Sequence, residues 1–101
     1  MTAKYRVKIT SVAEKDIEDV WFYIAEDSPE NATAFILALE EQIGTLESVP
    51  ERCPLIPENE LLNRGYRHLI HGSYRTIFRV DGRIVYVLRV IHGARLLEAF
   101  E

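Results

Sequence analysis

Gly65–Arg95 reads GYRHLIHGSYRTIFRVDGRIVYVLRVIHGAR, and this stretch decides the fold. It divides into three strand-like runs, Tyr66–Ile70, Ser73–Val80 and Arg83–Ile91. Asp81-Gly82 falls between the last two, and Asp-Gly between strand-like runs predicts a hairpin, because a type I′ turn needs positive φ at both central residues. Ile84–Ile91 is β-branched, aromatic or aliphatic throughout except for Arg89, which predicts a central strand covered on both faces. Together with Arg64 just before it, the stretch carries Arg67, Arg75, Arg79, Arg83, Arg89 and Arg95, three histidines (His68, His71, His92), no lysine, and Asp81 as its single acid.

Outward from this basic segment the charge reverses. Residues 1–63 hold five Lys/Arg against thirteen Asp/Glu, while residues 64–95 hold seven Arg against one Asp, so a net charge of −4 conceals an acidic part and a basic one. A polyanion can meet the basic part locally, since potentials act over roughly a Debye length of 8–10 Å. Tight general nucleic-acid binding usually goes with a basic chain, which this is not.

Upstream, Tyr5, Val7 and Ile9 alternate with Lys4, Arg6, Lys8 and Thr10, the period of a half-exposed edge strand. Ser11 and Glu14 form a capping-box pattern. Ala13, Ile17, Val20, Trp21 and Ile24 then share one helix face, predicting a helix over 12–26. Ser28 as N-cap and Pro29 at the first position restart a second helix, whose stripe is Ala32, Phe35, Ile36, Leu39, Ile43 and Leu46, ended by Val49-Pro50. Two amphipathic helices on so short a connection form an αα-hairpin, and the sheet is the surface available to cover them. Residues 50–64, with three prolines, read as a loop tacked down by Leu55, Ile56, Leu61 and Leu62, and residues 94–101 as a short helical turn.

The prediction is one α+β domain over 1–101, a β-α-α-β-β-β chain with the helical hairpin on a small, twisted, mostly antiparallel four-stranded sheet. No apolar run reaches membrane-spanning length, the N-terminus lacks a signal-peptide apolar region, and Cys53 stands alone, so a cytoplasmic chain without internal disulfide is expected. No cofactor is expected, and no metal: His68 and His71 do not converge on an extended chain and lack a third ligand.

The element order, together with A-x-x-D-I-x-x-V-W-x-Y-I (Ala13–Ile24), Y-R-x-I-F-R-V (Tyr74–Val80) and V-x-R-V-I-H-G-A-R (Val87–Arg95), resembles the RelE/ParE superfamily of type II toxin–antitoxin toxins. The W-x-Y-I run, the Pro-rich loop and the V-I-H-G-A-R end are closer to the ParE branch. That resemblance implies a toxin that inhibits DNA gyrase and replication and is neutralised by the C-terminal segment of a ParD-like antitoxin in a hetero-oligomer. The alternatives it leaves are a RelE-like ribosome-dependent mRNA endoribonuclease and a non-toxic remnant that only binds antitoxin. Ribonuclease chemistry would draw on Arg67, Arg75, His92 and Arg95, with Glu58 or Glu60 in the loop, to serve the 2′-oxygen, the phosphorane and the leaving oxygen. The lysine pair of the RelE pattern is absent before Tyr74, where only Arg67 matches in charge, and the C-terminal tyrosine is replaced at best by Phe100. Arg75, Arg79, Arg89, His92 and Arg95 are the candidates for target contact. Ile17, Val20, Trp21, Ile24, Phe35, Leu39 and Arg75 are the candidates for antitoxin contact. Arg89, inside an apolar strand, calls for an internal acid from the helical hairpin or a partner's carboxylate.

Overall fold

A computed structural model describes residues 4–93. Strand β1 (Arg6–Ile9) leads into helices α1 (Ser11–Ala25) and α2 (Pro29–Gly44), and two single 3₁₀ turns and a one-turn helix, α3 (Asn59–Leu62), carry the chain to β2 (Arg67–His71), β3 (Tyr74–Asp81) and β4 (Ile84–His92). The β-α-α-β-β-β order is as predicted, with each later strand displaced by one residue from its predicted span. The predicted C-terminal turn lies outside the described residues.

The helix ends follow from capping chemistry. Thr10, one residue earlier than predicted, caps α1: its hydroxyl accepts from the Ala13 N–H and donates to the Val87 carbonyl at 2.8 Å, so the cap also ties the helix to β4. Ser28 caps α2 as expected, accepting from the Asn31 N–H, with Pro29 at the first position. After α2 the chain turns at Val49, whose φ of 45° is left-handed, a strained conformation for a β-branched residue and unusual before Pro50.

The sheet runs β1-β4-β3-β2, so the first strand pairs with the last. β1 and β4 are parallel, Arg6 opposite Ile84 through Ile9 opposite Val87, and the other pairs are antiparallel. The β3–β4 loop proves to be Gly82-Arg83, with Asp81 still paired to Ile84. Gly82 has φ +60° and Arg83 is not among the positive-φ residues, the pattern of a type II′ turn rather than the expected type I′.

A β-bulge decides which residues of β4 meet which layer. Ile77 pairs with Arg89 while Phe78 pairs with Val87, so Leu88 is the extra residue. Before the bulge Val85 and Val87 face the helices, and after it Val90 does, joining Ala13, Val20, Leu39, Ile43, Leu46 and Phe78 in the main core. Strict alternation from Val85 would have placed Arg89 in that core. On the other face Ile77 and Ile91 are buried by Ile56 and Tyr66, with Leu62 and Leu88 at the margin. The Pro-rich segment is therefore a strap across half of the second face. Ile56 and Leu62 hold it, whereas Leu55 and Leu61, also expected to do so, are exposed.

Phe78 is fully buried between the helices and the sheet. Phe78→Ala is expected to cost about 3–5 kcal/mol, read as a lower urea midpoint at unchanged slope. A loss below about 1 kcal/mol would mean this ring is not part of a close-packed core.

Candidate functional site

Where β1 ends at Ile9, the far half of β4 loses its strand neighbour and α1 takes its place. Asp16 makes the junction. Its carboxylate accepts from Arg89 Nε at 2.7 Å and Nη2 at 3.1 Å, and from the Val90 backbone N–H at 3.0 Å. One side chain thus neutralises a largely buried guanidinium and satisfies an amide that no strand pairs. The hydrogen bonds to Asp16 raise the Arg89 guanidinium above its already high range, against the opposing effect of burial. Of the two partners foreseen for Arg89, the structure supplies the internal one.

Beside this junction a groove of about 210 Å³ opens between α1 and the end of β4. Asp16, Asp19, Val20 and Tyr23 form its helical wall, and Tyr74, Val90, Ile91 and His92 its sheet wall. His92 is exposed at the strand end, its ring 5.6 Å from that of Tyr74, which in turn lies 5.6 Å from Phe35. Gly93 closes the end by donating to the Ser73 carbonyl at 2.7 Å, where an added Cβ would crowd that oxygen at 3.3 Å. Burial, and then the neighbouring Tyr23, push the Tyr74 phenol above its ordinary range, so it is a neutral donor near pH 7 and not a base.

The second cluster lies under the strap. Arg75 is 4% exposed, and both of its terminal nitrogens are held by the two carboxylate oxygens of Glu58. A fork-to-fork pair of this kind positions the strap on β3. Arg67 reinforces it, donating to the backbone carbonyls of Cys53 at 2.6 Å and Glu51 at 3.2 Å, and the Ile56 N–H bonds the Tyr66 carbonyl. His68 is half-buried beside the pair, with Nδ1 buried and unpartnered. Burial, and then the positive charge of Arg75, lower the His68 pKa, while Glu58 pulls the other way. Among the described residues no group of three His, Cys, Asp or Glu side chains could hold a metal ion.

The structure separates the residues singled out from the sequence. Arg75 and Leu39, nominated for partner contact, are core: Leu39 is fully buried and Arg75 is enclosed by Glu58, so neither presents a surface. Val20, at 6% exposure, reaches the groove only as a buried part of its helical wall. Ile17, Ile24 and Phe35 are half-buried packing residues, and Trp21 donates its indole N–H to Thr33 across the helical hairpin. Arg89 is tied to Asp16, whereas Arg79 is partly exposed over the Tyr86 ring at 4.5 Å. Arg95 lies outside the described residues. Tyr23, Phe22 and Leu37, each at least 60% exposed, were not singled out, because helical periodicity assigns them to the polar side, where an exposed apolar residue gives no pattern.

Two outcomes follow. Asp16→Ala leaves a largely buried guanidinium and an amide without this carboxylate, and is expected to destabilise the fold by about 3–5 kcal/mol in urea unfolding, with Asp16→Asn less severe. A lowered His68 pKa means that the unfolded chain binds the proton more readily, so stability falls as pH drops below the ordinary value of 6.5 and is level above it. His68→Asn should flatten the loss of stability between pH 7.5 and 5.5, and an unchanged slope would assign that loss to other groups.

The sequence matches, over residues 7–97, the family described as the ParE toxin of the type II toxin–antitoxin system parDE. The structure is similar to a chain of the chromosomal ParDE toxin–antitoxin system from P. aeruginosa, with TM-score 0.73 and 23% identity over 90% of this chain and 98% of that one. It is also similar to a chain of the toxin–antitoxin complex RelBE2 from Mycobacterium tuberculosis, with TM-score 0.62 and 27% identity over 94% and 98%. No curated protein sequence matches. Among the described residues no helix is long and apolar enough to cross a membrane. With a family match that spans residues 7–97, nearly all of its length, the chain belongs to the ParE toxin family of type II toxin–antitoxin systems.

Proposed function

We propose that this toxin acts in the cytoplasm by contact with DNA gyrase, halting replication, and that a ParD-like antitoxin silences it through its C-terminal segment. The observation that carries the gyrase reading over RNA cleavage is the enclosure of Arg75. Cleavage through the 2′-oxygen asks for a cation that meets the phosphorane. Arg75 instead meets Glu58 with both terminal nitrogens, and Arg67 is engaged with the Glu51 and Cys53 carbonyls. The Tyr74 phenol, shifted upward, is not poised to take a proton. Inhibition by protein contact needs none of these groups. His92, Arg79 and Arg95 remain the residues proposed to reach the target, and the groove between α1 and β4, with Tyr23, Phe22 and Leu37 exposed on the hairpin, the surface proposed for the antitoxin.

Ribosome-dependent cleavage is the second reading, favoured by the exposed imidazole of His92 at the end of β4, a side chain of the type used for proton transfer. Induced expression in a bacterial host, with pulse labelling of DNA, RNA and protein, separates the two. DNA synthesis is expected to stop first, with the damage response induced, and His92→Ala is expected to leave the arrest intact. Early collapse of protein synthesis with cut messages, abolished by His92→Ala, would establish the ribonuclease instead. Growth without any arrest would leave a protein that only binds antitoxin.

A further inference from the structure

The strap covers only half of the sheet's second face. Among the described residues the strap does not extend over the β1 side of that face, and cross-strand register places Lys8, Tyr86 and Arg79 in one row across three strands, with Arg6 opposite Ile84 in the next row. Arg6 and Lys8 are exposed, and Arg79 is held flat over the Tyr86 ring. Neighbouring strands lie about 4.8 Å apart and residues two apart along a strand about 6.6 Å, so three cations share a flat patch about 10 Å wide. Asp81, 3.5 Å from Arg79 and largely exposed, is the acid in contact with it.

We infer that this Arg6–Lys8–Arg79 patch docks on the phosphate backbone of duplex DNA. Three features favour DNA over an acidic peptide. Among the described residues the grooves at α1–β4, on α2 and at the strap are lined by other residues than this patch, whereas peptide recognition generally needs a pocket for an apolar anchor. Its cations stand on a rigid sheet rather than on a loop. Stacking on Tyr86 pre-orients the Arg79 guanidinium, whose planar fork fits phosphate oxygens. The acidic helices, which make the chain negative overall, lie across the sheet. The helices pack on the face of Val85 and Val87, opposite the one that carries Lys8, Tyr86 and Arg79, so their acids do not share the patch's surface. The inference rests on the gyrase reading in giving the toxin a hold on the DNA that gyrase carries. It is tested without gyrase, so failure here leaves the pulse-labelling result standing.

The full chain, purified free of antitoxin, is titrated against a fluorescent 20-base-pair duplex by anisotropy from 50 to 200 mM salt. Three phosphate contacts give a slope of log affinity on log salt of about −2.7, equivalent to a loss of about 40-fold over that range. Lys8→Glu and Arg79→Gln should each weaken binding about tenfold at 50 mM and reduce the slope by about one. Lys15→Glu, on the exposed face of α1, alters net charge as much as Lys8→Glu and should leave binding unchanged. Thermal unfolding confirms that each variant is folded. Duplex binding that is absent at 50 mM, or weakened equally by Lys15→Glu, overturns the inference. So does tighter binding to single-stranded DNA, to RNA of the same sequence, or to polyglutamate.

Discussion

Asp16 is the side chain on which the rest of this structure depends. Its two oxygens meet three donors from β4 at the place where the strand's alternation breaks and its strand neighbour ends. Without that carboxylate, the bulge would leave a guanidinium facing apolar surface and an amide facing nothing. With it, the re-phased strand delivers Val90 to the helices and Ile91 to the opposite face. The same contact fixes the separation of α1 from β4, and so shapes the groove whose walls they form.

The sheet has two covered faces, held by different physics. Helix burial closes one by area alone, with Leu39, Ile43 and Phe78 at its centre. The strap closes half of the other with few apolar residues, and an oriented ion pair does the positioning. Such a pair adds little net stability, because desolvating two charges offsets most of their attraction, but its geometry admits one register. This accounts for a buried arginine on β3 whose partner comes from an otherwise irregular segment, and it makes Arg75 part of the scaffold rather than a tool of chemistry.

Much of the fold is legible in periodicity. Two helical stripes, an alternating first strand and three later strands come directly from residue spacing, and Ser28-Pro29 marks the second helix start to the residue. Two kinds of feature are not legible. The first is phase: nothing in VLRVIH announces that Leu88 is unpaired, so Arg89 reads as a core residue until the bulge is seen. The second is pairing between distant side chains. Glu58 is one of six acids between α2 and β2 or at the end of α2, and only the path of the strap selects it for Arg75. Of the site residues, the arginines' basic character was readable, but which of them are enclosed and which are exposed depends on that path. Thr10 displaced Ser11 as the cap because its hydroxyl also reaches Val87 across the sheet, an advantage invisible to local pattern.

The pairing of first strand with last has a consequence for how the chain is made. Residue 6 finds its partner at residue 84, so β1 has no ladder to join until nearly all of the described chain has been synthesised. At about 5–20 residues per second, this delay is on the order of 4–16 s. During that interval the helical hairpin can form locally, while its apolar stripe has no sheet to cover and β1 remains an unpaired edge. For most of its synthesis the nascent chain therefore lacks the completed sheet. The sheet is completed only in the step that brings β4 between β1 and β3.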